Sequence, residues 1–154
     1  AVAHALIHHS NITVVTNNMN VANILHANPG CEIMVAGGML RRSDGGLVGE
    51  LTTQFIEQFK VDYAIIGTSA LDYDGDLLDF DLAEVRVSRA ILRQSRQSFL
   101  VTDHSKLGRS APARITSIAD VDAVFIDQAL PDDLMRRCEE WGTAVHVAPV
   151  HRDE

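Results

Sequence analysis

The sequence predicts an α/β fold with a mostly parallel sheet and helices on both of its faces. Short apolar runs alternate about six times with segments of helical periodicity, which is the order expected of a parallel sheet. The runs lack the polar alternation of half-exposed strands, which favours strands buried on both faces. The chain has 154 residues, of which 46% are hydrophobic, so it can bury a sizeable core. We expect one domain over residues 1–148 and a polar tail over residues 149–154.

The expected helices are identified by apolar periodicity and by residues typical of helix ends. Asn18 is a suitable N-cap for the second helix. Pro131 suits the start of the last helix, and Gly142 suits its end. The predicted helices cover residues 1–9, 19–26, 51–59, 82–94 and 131–141.

The expected strands are the apolar runs between these helices. They cover residues 12–15, 31–36, 63–66, 98–102, 122–126 and 143–147.

His4 and His8 have the spacing of metal ligands on a helix, but no carboxylate accompanies them. A solvated helix face is the favoured interpretation of these two histidines, and no metal site is predicted.

Composition excludes several classes of protein. Thirteen basic and 21 acidic side chains give a formal net charge of −8, which argues against a nucleic-acid surface on this chain. The two cysteines, Cys31 and Cys138, form no disulfide or zinc pattern, which favours an intracellular, cytoplasmic protein. No apolar run reaches membrane-spanning length and no signal peptide is recognised. The chain begins in helical periodicity without Met, so we expect a fragment whose upstream part is missing.

The segment from residue 62 to residue 86 contains an unusual concentration of acids. An apolar strand ends at Gly67, Thr68 and Ser69, and exposed backbone N–H groups at such a strand end suit a ligand. The carboxylates that follow are Asp72, Asp74, Asp76, Asp79, Asp81 and Glu84. Turn formation and helix capping by Asp81 and Glu84 are the structural alternative to ligand binding. A calcium loop of the EF-hand type is set aside, because its glycine and glutamate positions do not match.

Two further loops carry cations at predicted strand ends. Gly37 and Gly38 precede Arg41 and Arg42, and arginine forks suit phosphate while glycines allow close approach. A flexible surface hairpin with solvated arginines is the alternative here.

The second loop contains Asp103 and Lys106, where the lysine offers a point charge to a phosphate and the aspartate suits a hydroxyl. Capping of one short helical turn by Asp103 is the alternative. Ligands of parallel sheets bind beyond the carboxyl ends of the strands, so these loops together predict a small phosphorylated polyol or sugar as ligand. No dinucleotide or Walker motif is present, which makes a nucleotide less suitable.

The same residues resemble a known family. The motifs are Thr16-Asn17-Asn18, Ala36-Gly37-Gly38 with Arg41 and Gly49, Asp62 with Gly67, Gly75 followed by Asp81-x-x-Glu84, and Asp103-His104-Ser105-Lys106-x-Gly108. In this order they resemble the effector-binding domain of the DeoR family of bacterial transcriptional repressors, over about residues 11–147. Val15–Asn23, Gly45–Gly49 and Leu77–Asp81 look most like the members that regulate glycerol metabolism.

The resemblance implies a sensor domain similar in fold to ribose-5-phosphate isomerase, which binds a phosphorylated metabolite, most simply sn-glycerol 3-phosphate, and forms a homo-oligomer. It implies no catalytic residue, cofactor, metal or membrane. Operator DNA would be bound only through an N-terminal helix-turn-helix that this chain lacks, as it lacks the family's first strand. The ligand-binding residues expected are Thr16, Asn17, Asn18, Gly37, Gly38, Arg41, Gly67, Ser69, Asp79, Asp81, Glu84, Asp103 and Lys106.

In this interpretation Arg41 and Lys106 contact the phosphate, helped by backbone N–H groups of Gly38 and of the turn at residues 16–18. Asp79, Asp81 and Glu84 lie near the polyol hydroxyls or stabilise their loop. Two alternatives stay open at this point. One is a sugar-phosphate isomerase on the same scaffold, with Glu84 or Asp81 as general base. The other is a module that only mediates oligomerisation.

Overall fold

The computed structural model describes residues 1–149, and its contacts divide the chain into two compact units, residues 1–59 and the part from residue 60 onward. Each unit is described by itself. The single domain expected over residues 1–148 stays a prediction. The polar tail expected from residue 149 lies, apart from Pro149, outside the described residues.

The first unit combines a parallel strand pair with a short antiparallel hairpin. β1 and β2 pair in parallel, with Ile12 opposite Cys31 and Thr16 opposite Val35, and β3 and β4 form the hairpin. Its elements are α1 (Val2–Leu6), β1 (Ile12–Thr16), α2 (Met19–Leu25), β2 (Cys31–Val35), β3 (Met39–Leu40), β4 (Leu47–Val48) and α3 (Glu50–Ile56).

The second unit is built on a parallel sheet of four strands in the order β11-β10-β8-β5. A second sheet, β6-β7-β9, is antiparallel. The elements are β5 (Val61–Ile66), β6 (Ala70–Leu71), β7 (Asp76–Asp79), α4 (Leu82–Arg93), β8 (Ser95–Val101), β9 (Ala113–Ser117), β10 (Ala123–Ile126), α5 (Asp132–Trp141) and β11 (Ala144–Val147).

One face of the four-stranded sheet forms the core of this unit. Ile66, Leu100 and Val124 are at most 4% exposed and pack in one apolar cluster with Val85 of α4 and Leu134 of α5. Ile66, Leu100 and Val124 are paired across neighbouring strands, so their side chains point to the same face of the sheet. Both α4 and α5 cover that face. The α/β class with a parallel sheet and flanking helices is confirmed, but the two helices of this unit share one face of the sheet and do not cover both faces.

The opposite face of that sheet carries a row of aromatic rings. Tyr63 stacks on Phe99 with ring centroids 5.6 Å apart, Phe99 meets Phe125 edge-on at 5.7 Å, and Phe125 stacks on His146 at 4.8 Å. Tyr63 is 62% exposed and Ile65 is 44% exposed. The prediction that residues 63–66 form a fully buried strand is therefore wrong at these two positions.

Several predicted helix ends are confirmed by their capping bonds. Asn18 accepts from the N–H groups of Asn20 and Val21, and Asp81 accepts from that of Ala83. Gly142 ends α5 in the left-handed conformation with φ of 76°. The first helix is shorter than predicted, Val2–Leu6 instead of residues 1–9.

Candidate functional site

The turn after β1 uses Asn17 and Asn18 to bind the loop of the β3–β4 hairpin. Asn17 Nδ2 donates to the carbonyl of Leu47 at 3.1 Å, and the Leu47 N–H donates to the Asn17 carbonyl at 2.6 Å. Asn18 Nδ2 donates to the carbonyl of Asp44 at 3.0 Å. The Thr16 hydroxyl accepts from the Asn18 N–H at 3.1 Å. Three predicted ligand residues thus form one turn that also holds the hairpin loop.

Gly38 lies where no larger residue fits. Its φ is +141°, and an added Cβ would lie 2.0 Å from Thr52 Oγ1 and 2.7 Å from the Val48 carbonyl oxygen. Thr52 is fully buried and donates to the carbonyl of Gly37. An added Cβ at Gly37 would meet nothing within 4 Å. The strand end after β2 therefore needs Gly38 for packing against α3, whatever ligand approaches it.

Arg41 is ordered by its own loop. Its Nη2 lies 3.3 Å from Asp44 Oδ2, and its side chain is 24% exposed. Its N–H donates to the carbonyl of Gly46 at 2.7 Å. Arg42 is exposed. A phosphate bound to Arg41 would share this guanidinium with the Asp44 carboxylate, which reduces the net charge available to it.

In the second unit, Ser69, Asp79 and Asp81 are linked into one structure. The Ser69 hydroxyl donates to Asp79 Oδ2 at 3.0 Å. Asp79 Oδ1 accepts from the N–H of Phe80 at 2.7 Å and from that of Asp81 at 3.2 Å. Asp79 is only 6% exposed. This arrangement joins the end of β5 to the start of α4 and supports the loop-stabilising alternative for Asp79.

Gly67 and Glu84 lie close in sequence to these bonded residues, Gly67 two positions before Ser69 and Glu84 three positions after Asp81. Glu84 is half-buried in the first turn of α4, where a negative charge favours the helix. An added Cβ at Gly67 would lie 4.0 Å from the carbonyl oxygen of Val101, which is ordinary contact. Glycine is therefore not required at residue 67 for packing.

The loop after β8 forms a short 3-10 turn, His104–Lys106, that Asp103 caps. Asp103 Oδ1 accepts from the Ser105 N–H at 2.8 Å and from the Ser105 hydroxyl. These bonds, the hydroxyl one first, together with the positive charge of Lys106, lower the pKa of Asp103. The capping alternative for Asp103 is thus realised, and it sets Lys106 at the end of the turn.

The sequence interpretation missed a residue that binds this turn. Asp127, directly after β10, accepts from the His104 N–H at 2.7 Å through Oδ1 and contacts His104 Nδ1 at 2.6 Å through Oδ2. The bond from the His104 ring is the main reason that the pKa of Asp127 is lowered. Only parallel pairing of β8 with β10 brings the two residues together, so no local motif identifies Asp127.

The predicted site residues thus form two groups, one in each unit. Thr16, Asn17, Asn18, Gly37, Gly38 and Arg41 lie in residues 1–59, and the other seven lie in residues 60–149. Each group offers one cation, amide or hydroxyl groups, and strand-end backbone, which suits an oxyanion and hydroxyls. Across residues 1–149, no three His, Cys, Asp or Glu side chains gather as metal ligands.

Comparison with known proteins assigns the family. Residues 1–128 match the family model described as the DeoR C-terminal sensor domain. The chain belongs to the DeoR sensor-domain family. The resemblance inferred from the motifs is therefore confirmed.

The curated relatives of this DeoR sensor domain are transcriptional regulators. A glycerol-3-phosphate regulon repressor from Escherichia coli K12 is 52% identical over 136 residues, which cover 88% of this chain and 54% of that protein. A repressor of the same name from Haemophilus influenzae is 46% identical over 143 residues, 93% of this chain and 55% of that protein. The repressor CsqR from Escherichia coli K12 is 37% identical over 139 residues, 90% of this chain and 53% of that protein. The chain spans about half the length of these curated relatives.

Among solved structures, ribose 5-phosphate isomerase A from Neisseria gonorrhoeae is 13% identical, with a TM-score of 0.36 over 68% of this chain and 50% of that one. This likeness is too low to carry a conclusion, so the fold class of the DeoR domain rests on its sheet topology.

In the part of the chain that the structure describes, no helix is long and apolar enough to cross a bilayer.

Proposed function

We propose that this chain is the effector-binding part of a transcriptional repressor and that its effector is sn-glycerol 3-phosphate. The observation that carries the proposal is the 52% identity, over 88% of the chain, to a protein named as a glycerol-3-phosphate regulon repressor. Binding of the effector relieves repression of genes for glycerol metabolism. The protein is cytoplasmic, where both the metabolite and the DNA are found.

Each unit offers one proposed phosphate contact, Arg41 in residues 1–59 and Lys106 in residues 60–149. Lys106 ends the short turn that Asp103 caps, and its N–H donates to the Asp103 carbonyl at 3.2 Å, so the backbone of the lysine is fixed. Arg41 is held by Asp44, which orders the guanidinium before a ligand arrives. Backbone N–H groups near Gly38 and at residues 16–18 are the further phosphate donors proposed in the first unit.

The proposed hydroxyl contacts are the polar groups at the start of α4. Ser69, Asp81 and Glu84 are half-buried there, and Asp79 accepts hydrogen bonds from the Ser69 hydroxyl and from the Asp81 N–H. Gly67, two residues before Ser69, is exposed and is proposed to offer bare backbone to the ligand.

Operator binding is proposed for a part of the protein outside this chain. The net charge of −8 does not suit DNA, and the chain spans about half the length of the relative that it matches. We propose that the sensor domains form a homo-oligomer, and that the effector favours one arrangement of this oligomer over another.

Isothermal titration tests the proposal. sn-Glycerol 3-phosphate is titrated into the full-length protein, with glycerol and fructose 6-phosphate as controls and light scattering as the measure of mass. We expect saturable binding of glycerol 3-phosphate and none of glycerol. Preference for fructose 6-phosphate would remove the glycerol assignment. Absence of binding by every phosphate, with constant mass, would overturn the sensor in favour of an oligomerisation module.

A further inference from the structure

His104 lies at the carboxyl end of β8, between the two proposed ligand residues Asp103 and Lys106. Asp127, at the end of the neighbouring strand β10, holds it twice, through the backbone N–H at 2.7 Å and through ring Nδ1 at 2.6 Å. Two bonds to one carboxylate fix both the backbone and the ring of His104. The imidazole is therefore preorganised before any ligand binds.

The contact with Asp127 also determines which ring nitrogen is free. The pKa of Asp127 is lowered, so its carboxylate is ionised and accepts at neutral pH. Nδ1 must then carry a hydrogen, and in the tautomer of the imidazole with hydrogen on Nδ1 only, Nε2 is an acceptor. The side chain of His104 is 54% exposed, and within residues 1–149 its Nε2 makes no hydrogen bond.

A second polar group at the same strand end lacks a partner. The hydroxyl oxygen of Thr102, the residue between β8 and Asp103, is buried and has no hydrogen-bond partner among the described residues. Buried polar atoms are nearly always satisfied by protein, water or ligand. The Thr102 N–H donates to the carbonyl of Phe125 at 3.0 Å, so the residue itself is firmly placed. The end of β8 thus presents polar groups that protein atoms of this region do not use.

We propose that His104 is a ligand-binding residue, whose Nε2 accepts a hydrogen bond from a hydroxyl of a small phosphorylated polyol, and that Asp127 is its positioning residue. This inference rests on the proposed function, because it assigns a further contact in the same site. Lys106 takes the phosphate, and His104, two residues earlier in the same turn, takes a hydroxyl. A ligand with phosphate and hydroxyl on a short carbon chain matches this pair of groups.

Two substitutions of His104 separate binding from anchoring. The amide nitrogen of Asn in His104→Asn takes the place of Nδ1 and keeps the bond to Asp127, but it offers nothing at Nε2. The longer Gln in His104→Gln places its amide near Nε2. We expect the Kd of the bound phosphate ester to rise about 10-fold to 100-fold in His104→Asn, as for a lost hydrogen bond to a ligand. His104→Gln should bind within about fivefold of wild type.

The readout is isothermal titration of wild type and both variants with sn-glycerol 3-phosphate, fructose 6-phosphate and ribose 5-phosphate, beside their thermal unfolding. His104→Asn with wild-type affinity would overturn the inference and leave the proposed function standing. Loss of affinity and of thermal stability in His104→Gln alone would show that His104 only anchors the turn. If the wild type prefers another phosphate ester, the variants are compared on that ligand, and only the glycerol assignment fails. If it binds none of the three, both proposals fail.

Discussion

The Ser69 hydroxyl donates to the buried carboxylate of Asp79 at 3.0 Å, and this bond joins the loop after β5 to the loop before α4. Asp79 is 6% exposed, and its second oxygen accepts from two backbone N–H groups. A buried carboxylate of this kind is tolerated only because each of its oxygens has hydrogen-bond donors. The acidic segment is therefore organised around one structural aspartate.

Removal of that carboxylate should destabilise the protein. Asp79→Ala leaves the N–H groups of Phe80 and Asp81 without an acceptor, so we expect a loss of about 1–3 kcal/mol in the free energy of unfolding. The free energy of unfolding is measured by Trp141 fluorescence in a urea titration, since Trp141 lies in the same unit as Asp79. Asp62→Asn is the control, because its side chain is 82% exposed beside Arg96. Equal midpoints for the two variants would contradict the prediction.

A methyl group at Gly38 should disrupt the first unit. Gly38→Ala forces a Cβ to 2.0 Å from Thr52 Oγ1 at a positive φ, and we expect a cost of about 1–3 kcal/mol. Gly37→Ala is the matched control, since its Cβ meets nothing within 4 Å. Faster hydrogen exchange of amides in residues 31–52 in Gly38→Ala alone is the expected result. Similar exchange in both variants would show that α3 adapts to the added methyl group.

The two cysteines should react at different rates with iodoacetamide. Cys138 is 1% exposed, and burial raises the pKa of its thiol, so little thiolate is present or accessible. Cys31 is partly exposed. Mass spectrometry of the native protein should find Cys31 labelled first. In Cys31→Ser, the remaining thiol of Cys138 should be labelled only as fast as the protein unfolds. Comparable labelling of both sites would contradict the burial of Cys138.

The contact between Asp127 and His104 should make stability depend on acid pH. The folded-state pKa of Asp127 is lowered, so the folded state binds this proton less readily than the unfolded state. The stabilisation is therefore present above the ordinary carboxyl pKa of about 4 and is lost as pH falls below it. Wild type should be more stable than Asp127→Asn at pH 7, and the difference should shrink below about pH 4. A difference that stays constant to pH 3 would exclude an ionised Asp127 as its cause.

Charge reversal at Lys106 tests the phosphate contact. We expect Lys106→Glu to lose the ligand-induced rise in thermal stability, which for wild type is about 2.7 kcal/mol at a ligand concentration of 100 times Kd. Lys60→Glu is the control, since residue 60 is exposed and the chain has only these two lysines. Unchanged stabilisation by glycerol 3-phosphate in Lys106→Glu would remove this lysine from the site.

Local sequence patterns predicted most of the helices and parallel strands. Asn18, Asp81 and Gly142 cap their helices as predicted, because capping depends on residues only two to four positions apart. The antiparallel strands β3, β4, β6, β7 and β9 were not predicted. Each has two to five residues, too few to show a periodicity, and β7 pairs with the distant strand β9.

The sequence by itself determined the parallel α/β class, the capped ends of three helices and the family, because these follow from spacing and motifs along the chain. Only the tertiary structure decided that Asp79 is buried and bound by Ser69, that Gly38 packs on Thr52, and that Asp127 orients His104. Each of these contacts joins residues ten to 23 positions apart. Such contacts depend on strand pairing and packing, which bring together side chains that no local pattern relates.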